Sequence, residues 1–201
     1  RGASRAELDA DPRRATGERS APAGVRYSAP AGVRLLGLAV FGGWAMIAVE
    51  NLVKRYGNFT AVDGVSLTVA PGQIHGFLGP NGAGKTTTLK LLMQLIFPTS
   101  GRAEILGRPV GDLEVRRRIG YLPENPSFYD YLTAEELLGY FGDLFGYAGA
   151  DRRKRVSNLL DRVGIGGERR LQLRKSSKGM IQRVGIAQAL LNDPEVIFLD
   201  E

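Results

Sequence analysis

A chain of 201 residues with 43% hydrophobic content can form one domain with a sizeable core. It has no cysteine, which excludes a disulfide frame and a thiolate metal site. Its net charge of +6 does not mark a nucleic-acid groove: about half of it sits in residues 1–45, and the later basic clusters lie among acids without interleaved aromatics, so no nucleic-acid partner is expected.

In chain order, residues 1–45 are rich in Ala, Arg, Gly and Pro, lack an amphipathic period and repeat Ala-Pro-Ala-Gly-Val-Arg at 21–26 and 29–34. Such a segment buries too little apolar surface to offset its ordering entropy, so it is expected to be a disordered or spurious extension. The apolar run at 35–49 is shorter than the roughly 20 residues of a membrane-spanning helix. As a secretory signal it lacks a clean small-residue cleavage site. Met46 is the expected start of the folded domain, 46–201.

Residues 47–54 and 65–69 read as strands, with Asp63-Gly64 and Pro71-Gly72 as turns. Residues 73–79 read as an apolar strand entering a glycine-rich loop, with the single histidine, His75, as a strand residue of no chemical role. Leu89, Leu92, Met93 and Ile96 form the core stripe of a helix stopped by Pro98. A hairpin is expected at 101–110 and a short strand at 119–122. Thr133-Ala-Glu-Glu136 is a capping box, followed by Leu137, Phe141, Leu144 and Phe145 on one face. A helix from Asp151 carries Val156, Leu159, Leu160 and Val163 and stops at Gly164. The last helix runs from near Ser177 to before Asn192-Asp-Pro194. Val196-Ile-Phe-Leu199 then reads as a parallel strand covered on both faces. The sum is α/β, with a mostly helical insertion at about 125–175.

Gly79-Pro80-Asn81-Gly82-Ala83-Gly84-Lys85-Thr86 matches G-x-x-x-x-G-K-[ST] between a predicted strand and a predicted helix, the context that motif needs. Its glycines let successive N–H groups turn inward onto phosphate oxygens, and the helix start, running on through Thr87, adds its positive dipole end. Lys85 is expected to reach the β- and γ-phosphates and the Thr86 hydroxyl to ligate Mg²⁺. Asp200 and Glu201 close the final apolar run, where ligands bind in open α/β sheets. Asp200 fits a magnesium partner and Glu201 a group that polarises an attacking water.

The order of this loop, Tyr121-Leu-Pro-Glu124, Ser177-Lys178-Gly179-Met180-Ile-Gln182-Arg183 and an apolar run ending Asp200-Glu201 resembles the nucleotide-binding domain of ABC transporters, over about residues 46–201. The resemblance implies a P-loop NTPase fold: a mostly parallel core sheet, a small antiparallel β subdomain and a helical insertion. It implies that Ser177, Lys178, Gly179 and Gln182 form the signature segment that caps ATP bound to a second ATPase subunit in a head-to-tail dimer. Ser177 and Gly179 match the usual Leu-Ser-Gly-Gly-Gln, while Ser176, Lys178 and Met180 depart from it. Tyr56 falls where the family stacks an aromatic on adenine, and Glu124 where it commonly has a glutamine facing the γ-phosphate and the membrane subunit. Also implied are Mg²⁺ with Thr86, Glu124 and Asp200 around it, a transmembrane permease partner, and a place on the cytoplasmic face of the membrane. The family continues past the acid pair with a dimer-contacting loop, more strands and a histidine, so the chain is expected to be cut short. The variants at 121–124 and 177–180 look most like subunits paired with exporter permeases. A soluble relative acting on ribosomes or DNA is the alternative. A small-molecule kinase built on the same loop is disfavoured by the signature segment and the acid pair.

Overall fold

The computed structural model describes residues 34–36 and 45–200; the expectations for the rest of the 1–45 extension and for Glu201 lie outside the described residues. Strands β1 (Arg34–Leu36), β2 (Ile47–Tyr56), β3 (Phe59–Val69) and β4 (Gly76–Leu78) lead into helix α1 (Lys85–Leu92). Then come β5 (Ser100–Ile105), β6 (Arg108–Pro109), α2 (Leu113–Arg116) and β7 (Ile119–Leu122). Helices α3 (Ala134–Leu144), α4 (Gly149–Arg162) and α5 (Lys178–Leu190) precede β8 (Val196–Leu199).

The largest sheet is antiparallel, in the order β3-β2-β5-β6. Alternation in β2 and β3 turns Ile47, Val49, Val65, Leu67 and Val69 inward against Leu89, Leu91 and Leu92 of α1. Asp63-Gly64, expected as a turn, lies inside β3. The φ of +64° at Gly64 is absorbed by a bulge between the Leu52–Val65 and Lys54–Val62 pairs, and the chain reverses instead at Gly57-Asn58. The expected hairpin at 101–110 is present as β5 and β6. Its two turn residues, Leu106 and Gly107, both have positive φ, as a type I′ connection requires.

Helix α1 ends before the predicted stop at Pro98. Gln94 takes φ +51°, its N–H reaches Leu91 O at 3.0 Å and the Leu95 N–H reaches Lys90 O at 2.9 Å, closing a Schellman motif that leaves Ile96 outside the helix. Arg34–Leu36, expected within a structureless extension, pairs antiparallel with β4. The short β4 otherwise presents an unpaired edge whose backbone groups need partners.

Parallel pairing among the described residues is confined to β7 and β8, in register from Ile119–Val196 to Leu122–Leu199. Between β4 and β8 lies a cavity of about 450 Å³, walled by Leu67, Val69, Phe77, Leu89 and Phe198. β8 is not covered on both faces as predicted: Val196 and Phe198 are buried, while Ile197 and Leu199 are 42% and 58% exposed.

A second buried cluster joins α3, α4 and α5 through Leu137, Leu138, Leu159, Leu160, Val184 and Ala187. On α3 half of the predicted stripe is inside: Leu137 is buried and Phe141 packs on the cluster, while Leu144 and Phe145 are exposed and Ala134, Leu138 and Gly142 are buried beside them. Gly142 sits against the Arg152 side chain of α4. The capping box at Thr133 and Glu136 is formed as expected. Helix α5 lies close over β7, because a side chain at Gly120 would meet Ala189 O at 2.2 Å. That contact ties the helical cluster to the strands beneath it.

Candidate functional site

Strand β4 delivers the chain into Gly79-Pro80, the Ala83 N–H turns back to Pro80 O at 3.2 Å, and α1 starts at Lys85. Gly84 makes this possible: its φ is +87°, and a Cβ there would stand 2.3 Å from Ala61 O of β3. The loop is thus pressed on the β2–β3 hairpin. Within the helix the Thr88 N–H is bonded to Gly84 O at 2.8 Å, and the Thr88 hydroxyl to the same oxygen at 2.9 Å. The N–H groups of Thr86 and Thr87, in the first turn, have no acceptor inside the helix. The first turn of α1 carries no acid, so its positive dipole end is not opposed there.

Lys85 Nζ donates to Gly79 O at 2.8 Å and Pro80 O at 3.2 Å, which folds the ammonium over its own loop. The Thr86 hydroxyl donates to Asp200 Oδ1 at 2.9 Å. Asp200 is 5% exposed, and its N–H bonds Leu122 O at 2.9 Å, so the end of β8 is pinned to the end of β7. Burial first, and the Asp200 charge second, push the neighbouring Tyr121 phenol above its usual pKa.

Glu124 follows β7 at this same end of the sheet and is exposed. Thr86 and Asp200 are therefore brought together, whereas no hydrogen bond recorded for the described residues joins Glu124 to them. Among the described residues no group of three or more His, Cys, Asp or Glu side chains converges as a metal cage. The hard oxygen pair of Thr86 and Asp200 suits Mg²⁺ shared with a phosphate better than a cage made wholly of protein.

Tyr56 ends β2 opposite Phe59, two positions from the strand pair Lys54–Val62 whose neighbour Ala61 touches Gly84. Its half-exposed ring therefore stands on the hairpin that backs the loop. Ser177, Lys178 and Gly179 open α5: the Ser177 hydroxyl accepts the Met180 N–H at 3.2 Å, and all three residues are exposed. Capping uses a lone pair of that hydroxyl and leaves its proton to donate. Gln182, a turn further on, is half-buried. Lys54, absent from the sequence candidates, lies over the Tyr56 ring. The two-residue strand period could have found it.

A family model for the ABC transporter matches residues 62–201. An uncharacterized ABC transporter ATP-binding protein of Synechocystis is 52% identical over 139 residues, covering 68% of this chain and 39% of the relative. The bacitracin transport ATP-binding protein BcrA of Bacillus licheniformis is 43% identical over 158 residues, 78% of this chain and 51% of the relative. A solved ATP-binding subunit of an ABC transporter superposes with a TM-score of 0.67 at 31% identity, covering 78% of this chain and 66% of that one. The chain spans about half the length or less of these two curated relatives. The loop and the acid-ended strand both fall inside the matched residues, and the chain belongs to the ABC transporter ATP-binding family.

Proposed function

We propose that this chain binds and hydrolyses ATP as the ATPase subunit of an exporter, pairing head-to-tail with a second ATPase subunit and driving a membrane permease. One observation carries the reading: the Thr86 hydroxyl meets the buried Asp200 carboxylate at 2.9 Å, which sets the phosphate loop against the acid end of a strand. On this reading the backbone of Gly79 to Thr87 cradles the phosphates, and Lys85 leaves the carbonyls of Gly79 and Pro80 for the β- and γ-oxygens. Thr86 and Asp200 would hold Mg²⁺, which when bound supplies positive charge to those oxygens; Glu124 is offered from the same end of the sheet. Tyr56 stacks on the base. Glu201 takes the proton of the attacking water. Ser177, Lys178, Gly179 and Gln182 close over the ATP of the second subunit, with the Ser177 hydroxyl and the start of α5 facing its γ-phosphate. Closing two such sites would move the permease from the cytoplasmic face of the membrane.

The test uses the intact protein carrying Glu201→Gln. The shape of the side chain is kept and its basicity lost, so phosphate release should fall by about 10²-fold or more while ATP still binds. Uncleaved Mg-ATP should then hold a dimer on size exclusion, and adding Ser177→Arg should dissolve it. A protein that stays monomeric, or a dimer that tolerates Ser177→Arg, rejects the paired arrangement.

A further inference from the structure

Lys54 and Tyr56 lie on the same side of β2, two residues apart. The Lys54 ammonium sits 4.8 Å from the centroid of the Tyr56 ring. It is not loose there. Lys54 is half-buried, and its Nζ donates to Phe97 O at 2.8 Å. The segment that holds this carbonyl is stitched to the same strand twice more: the Thr99 N–H bonds Val53 O at 2.8 Å, and the Arg55 N–H bonds the Thr99 hydroxyl at 2.9 Å. The chain that leaves α1 therefore returns to β2 and fixes a cation against one face of the half-exposed ring.

We infer that Lys54 is the positioning residue for the nucleotide base: anchored on the Phe97 carbonyl, it holds Tyr56 by one face and presents the other to the purine. This rests on the proposal that Tyr56 stacks on the base. A half-exposed tyrosine at the end of a hairpin gives up rotamer freedom on stacking; a ring already fixed has less to give up. The effect is on the base and not on the phosphates, because Lys54 acts through the ring.

The experiment measures binding of ATP and of inorganic tripolyphosphate to the intact protein by calorimetry, for Lys54→Met, Lys54→Arg, Tyr56→Ala and the Lys54→Met/Tyr56→Ala double variant, with melting curves for each. Lys54→Met keeps the aliphatic stem and removes the charge. It should weaken ATP by about 2- to 5-fold, the range of an exposed cation–π contact, and leave tripolyphosphate unchanged. Lys54→Arg should restore the wild-type ratio, and Lys54→Met should add nothing once Tyr56 is alanine. Equal weakening of both ligands makes Lys54 a charge or folding residue and overturns the inference. Unchanged or tighter ATP binding overturns it as well. If Tyr56→Ala lowers the ratio of ATP to tripolyphosphate affinity and Lys54→Met does not, this inference alone falls. If Tyr56→Ala leaves the ratio intact, base stacking falls and the inference with it.

Discussion

Gly82 and Gly84 share one conformation and differ in their surroundings, which lets strain be separated from contact. Their φ values are +83° and +87°, so alanine at either position must adopt the left-handed region, at about 1–2 kcal/mol. At Gly82 an added Cβ meets nothing within 4 Å, whereas at Gly84 it stands 2.3 Å from Ala61 O. To reach a separation seen in real structures the start of α1 must withdraw from β3 by roughly 0.7 Å, overpacking of a kind that adds about 1–3 kcal/mol. The same movement pulls Thr86 from Asp200 and tilts the first-turn amides off the phosphates. Gly82→Ala is thus expected to weaken ATP binding about 10-fold and Gly84→Ala about 100-fold or more, at roughly 1.4 kcal/mol per factor of ten. Calorimetry with Mg-ATP reads both, and circular dichroism melts confirm that each variant is folded. Equal losses at the two positions would show that the hairpin does not hold the loop, and the argument from Ala61 would be wrong.

Two further outcomes concern stability. Both ring nitrogens of His75 are buried with no hydrogen-bond partner among the described residues, and burial lowers its pKa from the usual 6.5. The unfolded chain therefore takes up the proton first: the stability from neutral His75 is full above about 6.5 and is lost as pH falls toward its lowered folded value. His75→Phe should flatten the thermal midpoint between pH 7.5 and 5.5 by up to one proton's worth of slope, and an unchanged slope would contradict the buried neutral ring. Thr133→Ala removes the acceptor of the Glu136 N–H at 3.2 Å and should cost about 1 kcal/mol in urea unfolding, with Thr133→Ser restoring most of it. No loss with alanine would mean that the cap is spent on solvent.

What could be read from the sequence is what local chemistry decides. The capping box at Thr133, the strand at 119–122, the end of α4 at Gly164 and the hairpin at 101–110 each depend on a few adjacent residues, and each forms in the structure. The turn of the glycine-rich loop into α1 was legible for the same reason. Where the outcome depends on a distant neighbour, the pattern misled. Gly64 carries the positive φ of a turn, but β2 stays paired on both sides of it, so the residue becomes a bulge. Leu144 and Phe145 continue the stripe of Leu137 and Phe141, which do pack inward, but at that end of α3 it is Gly142 that lies against Arg152 of α4, and the two stay exposed. Gln94 as a left-handed cap breaks the preference for glycine, so the run to Pro98 looked like helix. At the site, motif order named Thr86 and Asp200 each as a partner of Mg²⁺ and did not name the direct bond between them, while Lys54 beneath Tyr56 went unread because no motif names it.

The Thr86–Asp200 bond joins residues 114 apart, and that interval is also a time. A ribosome adding about 5–20 residues per second takes roughly 6 to 23 seconds to cover those 114 positions, so the glycine loop, the β2–β3 hairpin that backs it and the start of α1 emerge well before the acid. The hairpin pairs residues close in sequence and closes on a microsecond scale, so the cradle can be shaped while α3 and α4 are still being made. For that interval the nascent chain carries the glycine loop without the carboxylate that meets Thr86 in the finished fold. On the proposed function, a nucleotide seated in that interval would meet the loop without the carboxylate that is to hold Mg²⁺ beside it.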